Sequence, residues 1–190
     1  MPIDLPIRPF KTAQAWQSWL FKNHAKTPGL WLRFYKKASG VKTVVYAEAL
    51  EVALCYGWID SQVKSYDAAS YIQKFTPRGP KSVWSKINVG KVERLIKEKK
   101  MRAAGLKAVH AAKQDGRWAK AYDSPATMQV PADFLAALSK NKKAKAFFDS
   151  LSRANPYAIA YRLHEAKRPE TREKRFKEFL NMMAKGQKIH

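Results

Sequence analysis

The chain has 190 residues, 46% of them hydrophobic and 12% aromatic, which is enough for a real core and argues against a disordered basic tail. With 37 Lys and Arg against 15 Asp and Glu the formal net charge is +22, a field that attracts polyanions and repels cationic peptides. One cysteine rules out an intramolecular disulfide and fits a reducing compartment. The opening MPIDLPIRPF holds three prolines and an early Asp4, so it does not read as a secretory signal, and no apolar run is long enough to cross a bilayer. The chain is therefore expected to be cytoplasmic.

Thr12 caps a first predicted helix reaching His24, with Trp16, Trp19 and Leu20 on one side. Leu30–Lys37 alternates and predicts a strand whose aromatics on both faces imply cover from two sides, a helix beneath and a loop above. Thr43 is the expected cap of a second helix carrying Tyr46, Leu50, Ala53 and Leu54, which Gly57 ends in a left-handed conformation. Residues 58–67 and 70–76 read as a hairpin, closed by Pro77 and Pro80. Ser85 or Asn88 caps the next helix, with Val89, Val92 and Ile96 as its stripe. The helix after it, about 103–115, is expected to bury Leu106 and Val109. From Asp123 to Pro131 the pattern lapses. Beyond it, helices begin at Pro131, after Asn141, at Asn155-Pro156 and at Pro169, with short connections that favour antiparallel neighbours. The fold class is α+β: a small sheet from 30–37, 58–67 and 70–76 flanked by helices, then an all-helical part. The domains are expected at 1–124 and 125–190.

The chemistry the sequence offers is narrow. His24, His110, His164 and His190 are scattered and Cys55 is alone, so neither a structural zinc nor any cofactor is expected. Glycine-patterned phosphate loops and a Gly-x-Ser-x-Gly nucleophile elbow are absent. Cys55 reads as a small buried hydrophobe near a helix C-terminus, where the dipole disfavours a thiolate. Asp60 reads as a strand-start residue bonded to backbone or to an arginine.

The strongest constellation is Lys74, Arg78, Lys81, Ser85, Lys86 and Asn88, a proline-rich basic turn feeding a helix N-terminus. Unpaired amides and a positive dipole end there favour an anion. Residues 74–122 carry 14 basic and 3 acidic residues, half of the net excess. Ser85 either bonds an anion or only caps, and Trp84 either stacks on a base or packs under the turn. Tyr71 and Phe75 beside Lys74 hint at a stacking surface for single-stranded nucleic acid. A possible pocket is formed by Tyr46, Trp58, Asp60 and Trp84, with Arg78 beside them.

Several motifs stand out together: Tyr46-Ala-Glu-Ala-Leu, Gly57-Trp-Ile-Asp60, Phe75-Thr-Pro-Arg78, Pro80-Lys-Ser82, Trp84-Ser-Lys86, Ala146-Phe-Phe-Asp149 and Glu165-Ala-Lys-Arg-Pro-Glu-Thr-Arg172. In these, residues 16–185 resemble the YdeI/OmpD-associated, bacteriocin-protection family. The resemblance implies a small α+β protein linked to protection against bacteriocins or antimicrobial peptides, with no known catalytic residues. Three functions remain open. The first is a non-enzymatic protection or stress protein binding an anionic partner, nucleic acid or an anionic lipid surface, through its basic face. The second is a small-molecule enzyme using the pocket around Tyr46, Trp58, Asp60 and Arg78. The third is a protein–protein module.

Overall fold

A computed structural model describes residues 4–124 and 126–189. The chain forms two compact units that divide between Ala121 and Tyr122.

The first unit is built on a four-stranded mixed sheet. β1 (Ile7–Pro9) precedes α1 (Ala13–Asn23), β2 (Leu30–Tyr35), α2 (Tyr46–Cys55), β3 (Trp58–Asp67), β4 (Ser70–Pro77), α3 (Lys86–Lys97) and α4 (Ala103–Gln114). The strand order is β1-β2-β4-β3, with β1 parallel to β2 and the other pairs antiparallel. The hairpin strand β4 is thus central. Sequence reasoning missed β1, which is too short to show a period and has all three residues exposed. Its proline is tolerated because β1 is an edge strand.

Register sorts the two faces of the sheet. Leu30, Leu32 and Phe34 of β2 lie opposite Phe75, Gln73 and Tyr71 of β4, so these six share a face. That face joins Trp16 and Leu20 of α1, Ala49, Leu50, Ala53 and Leu54 of α2, and Val92, Leu95, Val109 and Ala112 of α3 and α4 in one core. Tyr71 and Phe75, expected as a stacking surface, therefore face inward. The opposite face carries Trp31, Arg33 and Tyr35, all half-buried. Cations lie over its rings: the Arg33 guanidinium lies 4.5 Å from the Tyr35 ring centre and 4.7 Å from that of Tyr66, and Lys64 Nζ lies 4.9 Å from Trp31.

Side-chain hydrogen bonding to the backbone marks several helix starts. Thr12 accepts from the Ala15 amide at 3.1 Å, and Ser85 from the Asn88 amide at 3.2 Å. Ser85 is thus the cap, and Asn88 is the third helical residue. Thr43 does not cap α2. Val45 occupies that position, with its amide bonded to Glu48 Oε2, and the Thr43 hydroxyl is buried without a hydrogen-bond partner. Gly57 is left-handed at φ +74°, as its place after α2 requires. In α3 the buried stripe is Val92 and Leu95, while Ile96 points outward. In α4, Leu106 is 38% exposed and Gly105 lies inside.

The second unit holds α5 (Ala132–Ser139), α6 (Lys142–Asp149), α7 (Ala154–His164) and α8 (Pro169–Ala184) around Phe134, Leu138, Phe148, Ile159, Leu163, Phe179 and Met183. Asn141 caps α6 by accepting from the Ala144 amide at 3.1 Å, and Pro169 is the first residue of α8. Asn155 is not a cap. It lies inside the first turn of α7, buried, and its Oδ1 accepts from the Ile189 amide at 2.9 Å.

Candidate functional site

The basic turn is organised from below by two tryptophans. Trp84 is 2% exposed and packs on Trp118 at 4.8 Å between ring centres. The Arg78 guanidinium lies over the Trp84 ring, 3.5 Å from its centre, and donates to the Val83 carbonyl at 3.0 Å. Trp84 therefore packs under the turn and has no face open to a base. The turn itself is tied by Gly79 N donating to Ser82 Oγ and Ser82 N donating to the Gly79 carbonyl, each at 3.0 Å. From outside, Arg117 donates to the Ser82 carbonyl at 2.8 Å while pairing with Asp115 at 2.7 Å.

This turn forms one wall of a cleft of about 290 Å³. The facing wall is the small-residue side of α4, where Ala104, Ala108 and Ala111 leave room that larger side chains would fill. The floor is the junction of α2 with β3. Arg78 N donates to the Gly57 carbonyl at 2.9 Å, and Arg102 N donates to the Cys55 carbonyl at 3.0 Å. A Cβ on Gly57 would stand 2.9 Å from the Ala104 carbonyl oxygen, so only glycine lets α4 approach here.

His24, Arg78, Lys107 and Arg117 border the cleft, and no carboxylate is among its lining residues. The His24 Nδ1 sits 2.9 Å from the Leu20 carbonyl oxygen, which can only accept. Nδ1 must therefore carry the proton, leaving Nε2 as the other polar atom of the ring. Lys107 is exposed and has no carboxylate partner among the described residues. The arrangement can hold a small anion by charge and N–H donation. It contains no nucleophile paired with a base.

The sequence-chosen residues divide. Arg78 lines the cleft, and Lys81 is exposed on the turn between Pro80 and Ser82. Ser85 and Asn88 are engaged with each other in the cap, and Lys86 is exposed at the first turn of α3. Lys74 departs from the group. It lies on the outward face of the sheet, opposite Trp31 in the β2–β4 register. Residue spacing missed Lys107, Arg117 and His24, which reach the cleft from three other segments. The uneven charge of 74–122 was the only sequence signal for Lys107 and Arg117.

Of the possible pocket, Tyr46 and Asp60 do meet. The Tyr46 hydroxyl donates to Asp60 Oδ2 at 2.8 Å, and Gln73 Nε2 donates to the same oxygen at 2.6 Å. Asp60 is therefore held by two side chains, not by backbone or an arginine. Burial, and then the adjacent Asp60, push the Tyr46 hydroxyl well above its ordinary pKa. Trp58 is buried, donates from Nε1 to the His24 carbonyl at 3.1 Å, and borders the cleft with Arg78. Trp84 lies in the core beneath the turn.

A larger cavity of about 390 Å³ is bordered by Glu48, Glu51, Cys55, Lys99, Lys100 and Arg102. It carries both signs of charge, and its Glu51 is paired to Arg94 and to Lys91. Burial pushes the Cys55 thiol up to about 11, which keeps it protonated and unreactive near neutral pH. No described helix is long and apolar enough to cross a membrane, and no described group of three or more His, Cys, Asp or Glu could hold a metal.

Comparison with known proteins divides the chain in a similar way. Residues 127–186 match the family described as Bacteriocin-protection, YdeI or OmpD-Associated. The match is narrower than the sequence resemblance suggested: Gly57-Trp-Ile-Asp60 and Phe75-Thr-Pro-Arg78 lie outside it, within residues 8–108, which match a different family. No significant match was found among curated proteins or solved structures. With more than half of its length in that second match, the chain belongs to the family described as Domain of unknown function (DUF8412), and only its last third is similar to the bacteriocin-protection, YdeI or OmpD-associated family.

Proposed function

We propose that the protein is a non-enzymatic protection factor that works by holding an anionic partner at the cleft between the 78–80 turn and α4. The family of residues 127–186 supplies the link to bacteriocin protection. One observation carries the binding reading: a concave site bordered by Arg78, Lys107, Arg117 and His24 without a carboxylate among its lining residues. In a protein of net charge +22, long-range attraction would bring polyanions to this surface, and the cleft would then select a protruding phosphate or carboxylate. Direct capture of a cationic toxin is disfavoured by the same charge.

The test is charge reversal at Lys81, Lys86 and Lys107 together, with binding to duplex DNA and to phosphatidylglycerol vesicles measured at 50 and 200 mM salt. Loss of salt-sensitive binding to either probe supports the reading. Unchanged binding to both removes the cleft from the account.

A further inference from the structure

The face of the sheet turned away from the core has no part in the cleft. Trp31, Tyr35 and Tyr66 belong to neither hydrophobic core, yet they are not scattered apolar residues. Each has a cation against its ring. Arg33 lies between Tyr35 and Tyr66, and it is fixed by Asp67 at 2.5 Å and by Ser70 Oγ at 3.0 Å. That clamp holds two rings in place before any partner arrives. Lys64 stands over Trp31, and Lys74 lies opposite Trp31 on β4. Neither lysine has a carboxylate partner among the described residues.

We infer that this face, made of Trp31, Tyr35, Tyr66, Lys64 and Lys74, binds single-stranded nucleic acid. Charge complementarity and ring spacing select that occupant. Trp31 and Tyr35 are four residues apart on one strand, so they stand about 13 Å from each other, a span that extended single-stranded nucleotides bridge in a few steps. Tyr66 is exposed and Trp31 and Tyr35 are half-buried; stacking on aromatic edges and free faces with cations beside them is the way such strands are held without sequence readout. A duplex hides the base faces that these rings would meet. The surface is separate from the cleft, so the inference does not rest on the function proposed above.

Fluorescence anisotropy with labelled dT12 and rU12 tests it on the full chain. Trp31→Ala and Tyr66→Ala should each weaken binding at least about fivefold. Wild-type affinity should fall about tenfold between 50 and 200 mM salt, as two or three phosphate contacts require. Lys64→Glu with Lys74→Glu should weaken binding and flatten that dependence. Lys142→Glu, on exposed α6 of the second unit, should leave binding unchanged.

Tyr66 is 47% exposed on the outer part of β3, so its variant keeps the test valid if Trp31→Ala fails to fold. Wild-type affinity from both aromatic variants would overturn the inference. So would a 12-base-pair duplex or phosphatidylglycerol vesicles displacing dT12 at equal concentration, or a loss on Lys142→Glu matching that of the lysine pair.

Discussion

Gly105 is where the architecture around the cleft is most exposed to a single methyl group. A Cβ there would lie 2.3 Å from the Cys55 carbonyl oxygen and 2.8 Å from its carbon, where ordinary contact begins at 3.4 Å. The obstacle is backbone, so α4 must retreat from α2 by about 1 Å. Gly105→Ala gains about 1 kcal/mol of helix propensity. Against that stand about 1–3 kcal/mol of overpacking and about 1 kcal/mol if the Arg102–Cys55 hydrogen bond is lost. The clash wins, for a net loss of about 1–3 kcal/mol. Gly90, inside α3 with nothing within 4 Å of its would-be Cβ, is the matched control, and Gly90→Ala should stabilise by about 0.5–1 kcal/mol.

All six tryptophans lie at or before Trp118, so urea unfolding followed by their fluorescence reads the first unit alone. With a slope of about 1.5 kcal/mol/M, the Gly105→Ala midpoint should fall by about 1 M, and that of Gly90→Ala should rise by a few tenths. A Gly105→Ala midpoint equal to or above wild type would refute the account of how α4 sits on α2.

The remaining predictions concern titrating groups. Cys55 should react slowly with a thiol reagent at pH 8 in the folded protein and rapidly in urea; fast stoichiometric reaction of the native protein would place the thiol outside the core. Because its pKa is raised from 9.0 to about 11, the unfolded chain ionises first, so stability should decline as pH rises from 9 toward 11, and Cys55→Ser should shallow that decline. Asp67 is held below the usual carboxylate range by hydrogen bonds from Ser70 and the Ala69 amide and by the Arg33 charge. Its contribution is therefore present above the unfolded value and is lost as pH falls through the lower folded value. In an acid titration followed by tryptophan fluorescence, Asp67→Asn should already be weakened at neutral pH and lose less on acidification than wild type. Equal acid slopes would remove this ion pair from the account.

What the sequence made legible was mostly local. The Thr12, Ser85 and Asn141 caps, the Gly57 stop and the first-turn Pro169 each act within a few residues, so type and spacing suffice to find them. The sheet was legible as three strands because their alternation spans six residues or more; β1 has only three and depends on β2 for its pairing.

Hydropathy misplaced Leu106. It favoured the larger side chain, whereas the close approach of α4 to the Cys55 carbonyl demanded the absence of one, at Gly105. Asp60 was grouped with Tyr46, which does bond it, but not with Gln73, 13 residues away on the neighbouring strand. Lys74 was assigned to the turn by proximity in sequence, but strand alternation sends it to the other face from Phe75. Cleft residues from positions 24, 78, 107 and 117 converge only through the packing of α1, α2 and α4, and no spacing rule encodes that.

The cleft itself can be tested by titrating pyrophosphate into isotopically labelled protein and following the backbone amides by NMR. Saturable shifts concentrated at Gly57, Arg78, Gly79 and Lys107, abolished by Lys107→Glu, are the result this account predicts. Shifts absent at those four positions, or spread evenly over the lysine-bearing surface, would contradict it.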